Sequence, residues 1–311
     1  MNEQATPHLT ICITGGTGYL GSRLIRSLMT QGHRVVLLKR SFSKTSRLTS
    51  LLPSITAYDV DIQPLEMVFR QHAIDCVLHC ATDYGRKNSP RSSIIEANLL
   101  LPLRLLEQAT KHGVRAFINT DTLLDKQVNA YSLSKRQFRE WLETFSSHID
   151  AINVALEHFY GPGDDPTKFV SLMIAKMLGG ESTIDLTPGA QKRDFIFIDD
   201  VVAAFACILT HHLCGSADHH VAMRRPFAHY EIGTGVPTSI NAFMTLLQGL
   251  AKRGDLQLRF GALPYRRNEA MQTVADITAL SALGWRPRVP LQQGLEFTLS
   301  GEQTYRAEAT R

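Results

Sequence analysis

Tyr131 and Lys135, in the run "YSLSK", stand four residues apart and so fall on one face of a helix. A phenol of ordinary pKa ~10 exchanges protons poorly at neutral pH. A neighbouring ammonium favours its phenolate, and a shift of about three units requires roughly 4 kcal/mol of differential stabilisation. Such a pair is suited to moving a proton to or from a substrate oxygen. Thr122, at the end of an apolar strand upstream, offers a hydroxyl to polarise the same oxygen. The spacing alone is common among surface helices, and it gains meaning beside a second constellation.

That constellation is "TGGTGYLG", Thr14 to Gly21, placed between an apolar strand and a helix. Gly15 permits a tight turn, Gly18 lets backbone N–H groups approach a pyrophosphate, and Gly21 lets the helix pack close to the sheet. The helix N-terminus, with Tyr19 and Leu20, then faces the phosphates of a dinucleotide. An NAD site places a carboxylate near the end of the second strand for the ribose 2′-hydroxyl. Here that position is Lys39, followed by Arg40 and Ser41. Cations and hydroxyls suit a 2′-phosphate, so the expected cofactor is NADPH. Asp59 and Val60 follow the third strand, where the adenine edge is expected.

Positioning these groups takes alternating elements. The strands read as "HLTICIT", "HRVVLLKR", "ITAYDV", "DCVLHCA", "AFINTDT" and "DAINVALE". Helices lie between them, one ending at Gly32, one running from about Ser93 to His112 and closed by Gly113, and one carrying Tyr131. Short, continuously apolar strands alternating with helices indicate a parallel sheet buried on both faces. The expected fold is α/β, a Rossmann-type doubly wound parallel sheet with a smaller mixed C-terminal substrate lobe. Residues 1–156 would form the dinucleotide-binding domain, with the chain returning to it at about 191–232. The lobe would comprise 157–190 and 233–311. "IDLTPGAQKRD" reads as a turn-rich edge, and Asp199 or Asp200 as the N-cap of the helix that follows.

Composition narrows the class. The chain has 311 residues, 44% hydrophobic and 20% charged, which excludes wholesale disorder and calls for no disulfide or metal staple. No apolar stretch approaches the ~18 residues of a membrane span. Between Gln4 and Tyr58 there is no acid, while Arg23, Arg26, Arg34, Lys39, Arg40, Lys44 and Arg47 are basic. That block could mark a removable leader or a nucleic-acid surface. A strand beginning by Leu9 argues against the leader, and sparse aromatics argue against nucleic acid. Cys12, Cys76 and Cys80 read as small buried hydrophobes and, with Cys207 and Cys214, form an odd set without CxxC; a reducing cytoplasm is expected. His211, His212, Cys214, His219 and His220 supply metal-ligand types in a short polar stretch that reads as solvated loop. Asp164, Asp165, Asp199 and Asp200 read as caps and turns. No metal is expected.

The glycine turn with Thr122, Tyr131 and Lys135 resembles the extended short-chain dehydrogenase/reductase family, which acts on nucleotide sugars. Further segments resemble a narrower group within it, the CDP-abequose and CDP-paratose synthases. They are "ATDYG", "INTDT", "LEHFYGPGDDPTKF", "RDFIFIDDVV", "IGTGVPTSI", "FGALPYRRNEAM" and "LGWRP". The resemblance implies that Tyr131 is the acid/base, that Lys135 binds the nicotinamide ribose and tunes Tyr131, and that Thr122 bonds the reacting oxygen. It places Cys80, Ala81, Thr82 and Asn98 along the cofactor. Arg193 and Arg266 would clamp the diphosphate, as two guanidinium forks suit a dianion. Lys168, Phe169 and the edge Thr183–Leu186 would frame the nucleotide, and Asp83, Tyr84 and His158 would face the hexose. Two features depart from the family: His158 stands where many members have Asn, and only eight residues separate Thr122 from Tyr131.

The implied activity is NADPH-dependent reduction of the C4 ketone of a nucleotide-linked 4-keto-6-deoxy or 3,6-dideoxy hexose, with CDP-4-keto-3,6-dideoxy-D-glucose first, for cell-surface O-antigen sugars. A homodimer is expected through the helices carrying Leu99, Leu103, Leu106, Phe138 and Trp141. The alternatives are an NDP-sugar 4-epimerase, a dTDP- or UDP-4-keto-6-deoxyhexose reductase, and a non-catalytic dinucleotide sensor. Leu123 and Leu124, where a dehydratase wants an Asp–Glu pair, disfavour dehydration.

Overall fold

The computed structural model describes residues 8–86, 89–214, 227–266 and 269–309. Its strands are β1 (Thr10–Thr14), β2 (Arg34–Lys39), β3 (Thr56–Asp59), β4 (Cys76–His79), β5 (Ala116–Thr122), β6 (Asp150–Leu156), β7 (His158–Tyr160), β8 (Thr183–Leu186), β9 (Lys192–Phe197), β10 (Ala228–Ile232), β11 (Pro237–Ser239) and β12 (Gln257–Phe260). The chain divides into two compact units, Met1–Ala155 with Val202–Tyr230, and Leu156–Val201 with Glu231–Arg311.

In the first unit a seven-stranded sheet runs in the order β10-β6-β5-β4-β1-β2-β3. The pairings β2–β3, β1–β2, β1–β4 and β4–β5 are parallel. Every residue of β1 and β4 is buried, which is why these strands read as unbroken apolar runs rather than alternating ones. This is the doubly wound α/β sheet expected. Helix α1 (Tyr19–Thr30) ends with Gly32 at φ +82°, its turn closed by bonds from Gly32 N–H to Met29 O and His33 N–H to Leu28 O. Helices α2 (Leu65–Gln71), α3 (Arg91–Ile95) and α4 (Leu101–Lys111) follow it in chain order. Below the sheet, Phe117 of β5 meets Phe138 of α5 (Ala130–Thr144), ring centroids 6.0 Å apart, with Leu105, Leu106 and Leu142 fully buried around them. Burying each such side chain contributes about 1.5–3 kcal/mol.

The helix expected over Ser93–His112 is interrupted. It starts at Arg91 and passes through a π turn at Glu96–Leu100 before the α-helical Leu101–Lys111, which Gly113 (φ +68°) terminates. Pro102 has no N–H for the carbonyl of Asn98, and its ring would crowd that carbonyl, so the wider turn lies just where an α-helical bond is lost.

The second unit carries a mixed three-stranded sheet, β11-β9-β7, in which β7 is parallel and β11 antiparallel to β9. The edge expected to be turn-rich forms β8, which pairs in parallel with β12, and a turn through Gly189 (φ +80°) that leads into β9. Phe195 stacks on Phe243 with centroids 4.3 Å apart, and Phe169 joins them. Neither Asp199 nor Asp200 is an N-cap, because the helix begins at Ile198 and holds both in its first turn. Asp200 is buried, and its carboxylate accepts the N–H groups of Arg288 (3.0 Å) and Val289 (2.9 Å) instead. Among the described residues no helix is long and apolar enough to cross a membrane.

Candidate active site

The glycine turn is built by contact rather than by composition. Gly15 sits at φ +67°, and a Cβ there would lie 2.5 Å from the backbone of Cys80 and Ala81. Gly18 caps α1 and donates its N–H to the Gly15 carbonyl at 3.0 Å. A Cβ on Gly21 would strike that same carbonyl. Tyr19 and Leu20 are buried in the first turn of α1. No larger residue fits at Gly15 or Gly21, so the backbone comes closest to the neighbouring strand just where the helix N–H groups are exposed.

On α5, Asn129 caps the helix through its side chain to Ser132 N–H, and Ser132 Oγ accepts the Asn129 N–H, which fixes the first turn around Tyr131. Tyr131 is half-buried and Lys135 is buried. The Thr122 hydroxyl lies beside the Tyr131 phenol and favours its ionised form, and it accepts the Leu124 N–H at 3.2 Å. Thr122 and Tyr131 thus lie side by side, and Lys135 stands one helical turn on from Tyr131. Their acidities do not follow the expectation that an ammonium holds the phenol low. Burial pushes the Tyr131 phenol up, Tyr84 adds to this, and the Thr122 bond opposes it; Lys135 is not among the causes. Burial pulls the Lys135 ammonium down, against the pull of Asp121 and Cys80. Its Nζ is buried with no hydrogen-bond partner among the described residues.

Tyr84 lies over Tyr131 with centroids 5.0 Å apart, and Arg86 sits 4.9 Å from the Tyr84 ring. Asp83 does not present its carboxylate outward, because it accepts the Gly85 N–H (2.8 Å) and the Ser89 hydroxyl (2.9 Å). Asn98, fully buried in the π turn, holds the Asp83 backbone through both its amide atoms and donates to Ser134 Oγ at 3.0 Å. It braces the loop after β4 against α5. Cys80, Ala81 and Thr82 lie half-buried at the end of β4, with Cys80 and Ala81 bonded to Thr14; burial pushes the Cys80 thiol up to about 12.

At the end of β2 the basic loop is pre-organised. Lys39 Nζ is 3.8 Å from the Asp59 carboxylate, which a bond from Ser41 holds below the usual carboxylate range. The guanidinium of Arg40 rests on the Phe42 ring, 4.4 Å from its centroid. Val60 donates its N–H to the Lys39 carbonyl. Arg23 and Arg47 flank the Tyr19 ring at 5.5 and 5.6 Å. Those two cations were not singled out in the sequence, although the acid-free block contained them.

In the second unit, Arg193 is buried and its guanidinium is engaged by Glu269 and by the carbonyls of Lys192 and Ala270 (2.7 Å each). Arg266 is exposed, and its carbonyl accepts the N–H of Glu269, the residue whose carboxylate engages Arg193. Lys168 pairs with Asp164 at 3.0 Å and lies 3.8 Å over the Phe159 ring, while Phe169 packs into the aromatic cluster. The Nδ1 of His158 is 2.8 Å from the buried Glu157 carboxylate. Among the described residues no group of three potential ligands could hold a metal, and Asp164 and Asp165 serve turn bonds and Lys168. His219 and His220 lie outside the described residues.

Sequence reasoning missed Asp121, Glu157, Asp194 and the true partner of Asp200. Asp121 is buried, accepts from Asn153 at 2.9 Å, and is the carboxylate acting on Lys135. Asp194 accepts the N–H groups of Thr234 (2.8 Å) and Gly235 (2.9 Å), and a Cβ on Gly233 would strike its carboxylate. A carboxylate inside an apolar strand run, as in "INTDT" and "RDFIF", was the available signal.

A sequence profile described as the NAD dependent epimerase/dehydratase family matches residues 11–223. CDP-abequose synthase of Salmonella typhimurium is 32% identical over 299 residues, covering 92% of this chain and 96% of that protein. UDP-glucose 4-epimerase of Mycolicibacterium smegmatis is 27% identical over 319 residues, covering 92% and 96%. Among solved structures, UDP-glucuronic acid 4-epimerase of Bacillus cereus, in complex with UDP-glucuronic acid and NAD, superposes with a TM-score of 0.80. It is 22% identical, with 96% of this chain and 100% of that one covered.

Proposed function

Because the chain belongs to the NAD dependent epimerase/dehydratase family, we propose that it is an NADPH-dependent reductase of the C4 ketone of a nucleotide-linked deoxyhexose, CDP-4-keto-3,6-dideoxy-D-glucose first. The observation that carries this reading is the buried Lys135 amine, without a hydrogen-bond partner among the described residues, one turn from a phenol that lies beside Thr122. The likeness to CDP-abequose synthases along nearly the whole chain supports the sugar and the base. A dinucleotide suits these residues on two counts: the glycine cradle has no room for a Cβ, and the Lys135 amine lacks the hydrogen bonds that a ribose diol offers.

When bound, the reduced dinucleotide supplies a hydride to the ketone carbon. Tyr131, kept protonated by its burial, gives its proton to the sugar O4, and Thr122 holds that oxygen. Lys135 steadies the phenolate left behind, with Asp121 as its counter-charge. Lys39, Arg40 and Ser41 take the 2′-phosphate, and Arg193 and Arg266 orient the diphosphate. The reading includes a cytoplasmic homodimer. Leu133 and Trp141, two turns apart on α5, are 44% and 50% exposed and form an uncovered apolar face.

A second reading, a 4-epimerase holding NAD, has one observation in its favour: Lys39 already has Asp59 beside it, which weakens its call on a 2′-phosphate. Incubation with NADPH and a panel of CDP-, UDP- and dTDP-4-keto sugars, followed by NMR of the product, separates the two. The reductase oxidises one NADPH per alcohol formed. Interconversion of 4-epimers without net coenzyme oxidation would establish the epimerase instead.

A further inference from the structure

Three buried polar atoms beneath α5 have no hydrogen-bond partner among the described residues: Lys135 Nζ, His79 Nε2 and Asn119 Oδ1. The strand register brings two of them together. His79 of β4 and Asn119 of β5 are parallel partners, so their side chains leave the same face of the sheet. That face lies under α5, because the His79 and Phe138 rings have centroids 6.0 Å apart. Lys135 stands three residues before Phe138 and shares its side of the helix. His79 and Asn119 are fully buried, and Lys135 nearly so.

In each residue of the sheet the bonded atom fixes where the other one points. Asn153 of β6 gives its Nδ2 to the Asp121 carboxylate at 2.9 Å, so its Oδ1 is the atom that receives Asn119 Nδ2 at 2.8 Å. The Asn119 amide is thereby turned with Nδ2 towards β6 and Oδ1 towards β4. The Thr14 hydroxyl of β1 accepts the Ala81 N–H, leaving its own hydrogen for His79 Nδ1 at 2.8 Å. The ring is neutral, since burial and then Lys135 hold its pKa well below the ordinary value. Its hydrogen is therefore on Nε2, on the side of the ring away from β1. A donor and an acceptor are thus turned towards each other across β4 and β5, with an ammonium above them and no bond joining any two of the three. A ribose diol would take at most two of the three Lys135 N–H groups and neither atom of the sheet.

We propose that Lys135, His79 and Asn119 form the binding site of one resident water, which accepts from Lys135 Nζ and His79 Nε2 and donates to Asn119 Oδ1. Three bonds is the usual complement of a buried water, and these are the groups that otherwise stay desolvated without compensation. His79 and Asn119 become positioning residues, acting on the amine through the water. The groups facing that amine are Asp121 of β5 and His79 and Cys80 of β4, with Tyr131 one turn earlier on its own helix. Among them the water adds a neutral acceptor, which favours the ammonium against burial. The water site stands on the geometry alone; its effect on catalysis rests on the reductase reading.

The test is a high-resolution crystal structure of the full chain, with and without NADPH, joined to pH profiles of kcat. One water within ~3.2 Å of all three atoms is expected in both crystals. No water there, or side chains that close on one another without it, would overturn the proposal. Asn119→Leu and His79→Phe should each expel the water and move the alkaline limb of kcat about one pH unit lower, because the amine loses an acceptor for its charged form. His79→Gln keeps an N–H donor and should restore the wild-type limb. An unmoved limb in a variant whose crystals have lost the water would overturn the positioning role, as would a Gln variant that behaves like Phe. If no 4-keto sugar is reduced at all, the reductase reading falls, and the density still decides the water.

Discussion

Tyr131 and Lys135 share one face of α5, and burial drives them in opposite directions, the phenol up and the ammonium down. The pair is therefore set for donation: Tyr131 stays neutral throughout the physiological range, and Lys135 loses its proton below the usual lysine pKa. For ketone reduction the proton donor must be protonated and its amine charged. The alkaline fall in kcat should then come from Lys135, at a pH below ~10.5, and not from Tyr131. Lys135→Met should lower kcat and abolish that alkaline limb. A limb that persists in the variant would assign it to another group.

Tyr131→Phe removes the proton source while leaving the cofactor cradle untouched. The expected loss in kcat is about 10²–10⁴-fold, with NADPH binding retained, as read by fluorescence titration of the reduced nicotinamide. Turnover within tenfold of the wild type would show that water or another residue protonates the product.

The double variant Lys39→Ala/Arg40→Ala tests the coenzyme. Charge-assisted bonds contribute about 1.5–3 kcal/mol each, so KM for NADPH should rise about 100-fold while KM for NADH changes little. Equal losses for the two coenzymes would mean that the loop holds no 2′-phosphate, and Asp59 beside Lys39 would then count for the NAD reading.

What was legible from the sequence follows a physical line. Local rules placed the glycine turn, because Gly15 and Gly21 answer to backbone contacts within one strand–turn–helix. They also placed Tyr131 with Lys135, because helical spacing fixes a shared face. The partners of buried carboxylates were not legible. Asp200 reaches Arg288 and Val289 across 88 and 89 positions, and Asp194 reaches Thr234 across 40. No spacing rule encodes such pairings, so Asp200 read as a cap. The π turn escaped for a related reason: Pro102 announces a lost bond, but not whether the helix stops or widens around Asn98. The direction of the Tyr131 shift depends on burial first and on the charge interaction with Tyr84 second, neither of which helical spacing reports.

Arg193 is engaged internally, so its proposed diphosphate role has a measurable condition: the anion must compete with Glu269. Arg193→Ala should raise KM for a CDP-sugar about 100-fold with kcat little changed. Glu269→Gln should lower that KM by freeing the guanidinium. If Glu269→Gln instead destabilises the chain and leaves KM unchanged, the Arg193–Glu269 pair serves to anchor the segment of Glu269 and Ala270 and not the substrate.

Asp200 offers a stability test independent of function. Its carboxylate satisfies two backbone N–H groups, and its carbonyl accepts Trp285 Nε1 at 3.2 Å, so it anchors the segment leading to the last helix, Leu291–Ala309. Asp200→Ala removes both acceptors at once and leaves two N–H groups short of partners, at a cost of about 1–3 kcal/mol each. The second unit should unfold at a lower denaturant midpoint, followed by the fluorescence of buried Trp285. Asp200→Asn keeps one acceptor oxygen and should recover part of the loss. Had Asp200 been a helix cap, Asn would restore nearly all of it, since Asn and Asp cap equally well. The size of the Asn rescue therefore decides between a cap and a long-range anchor.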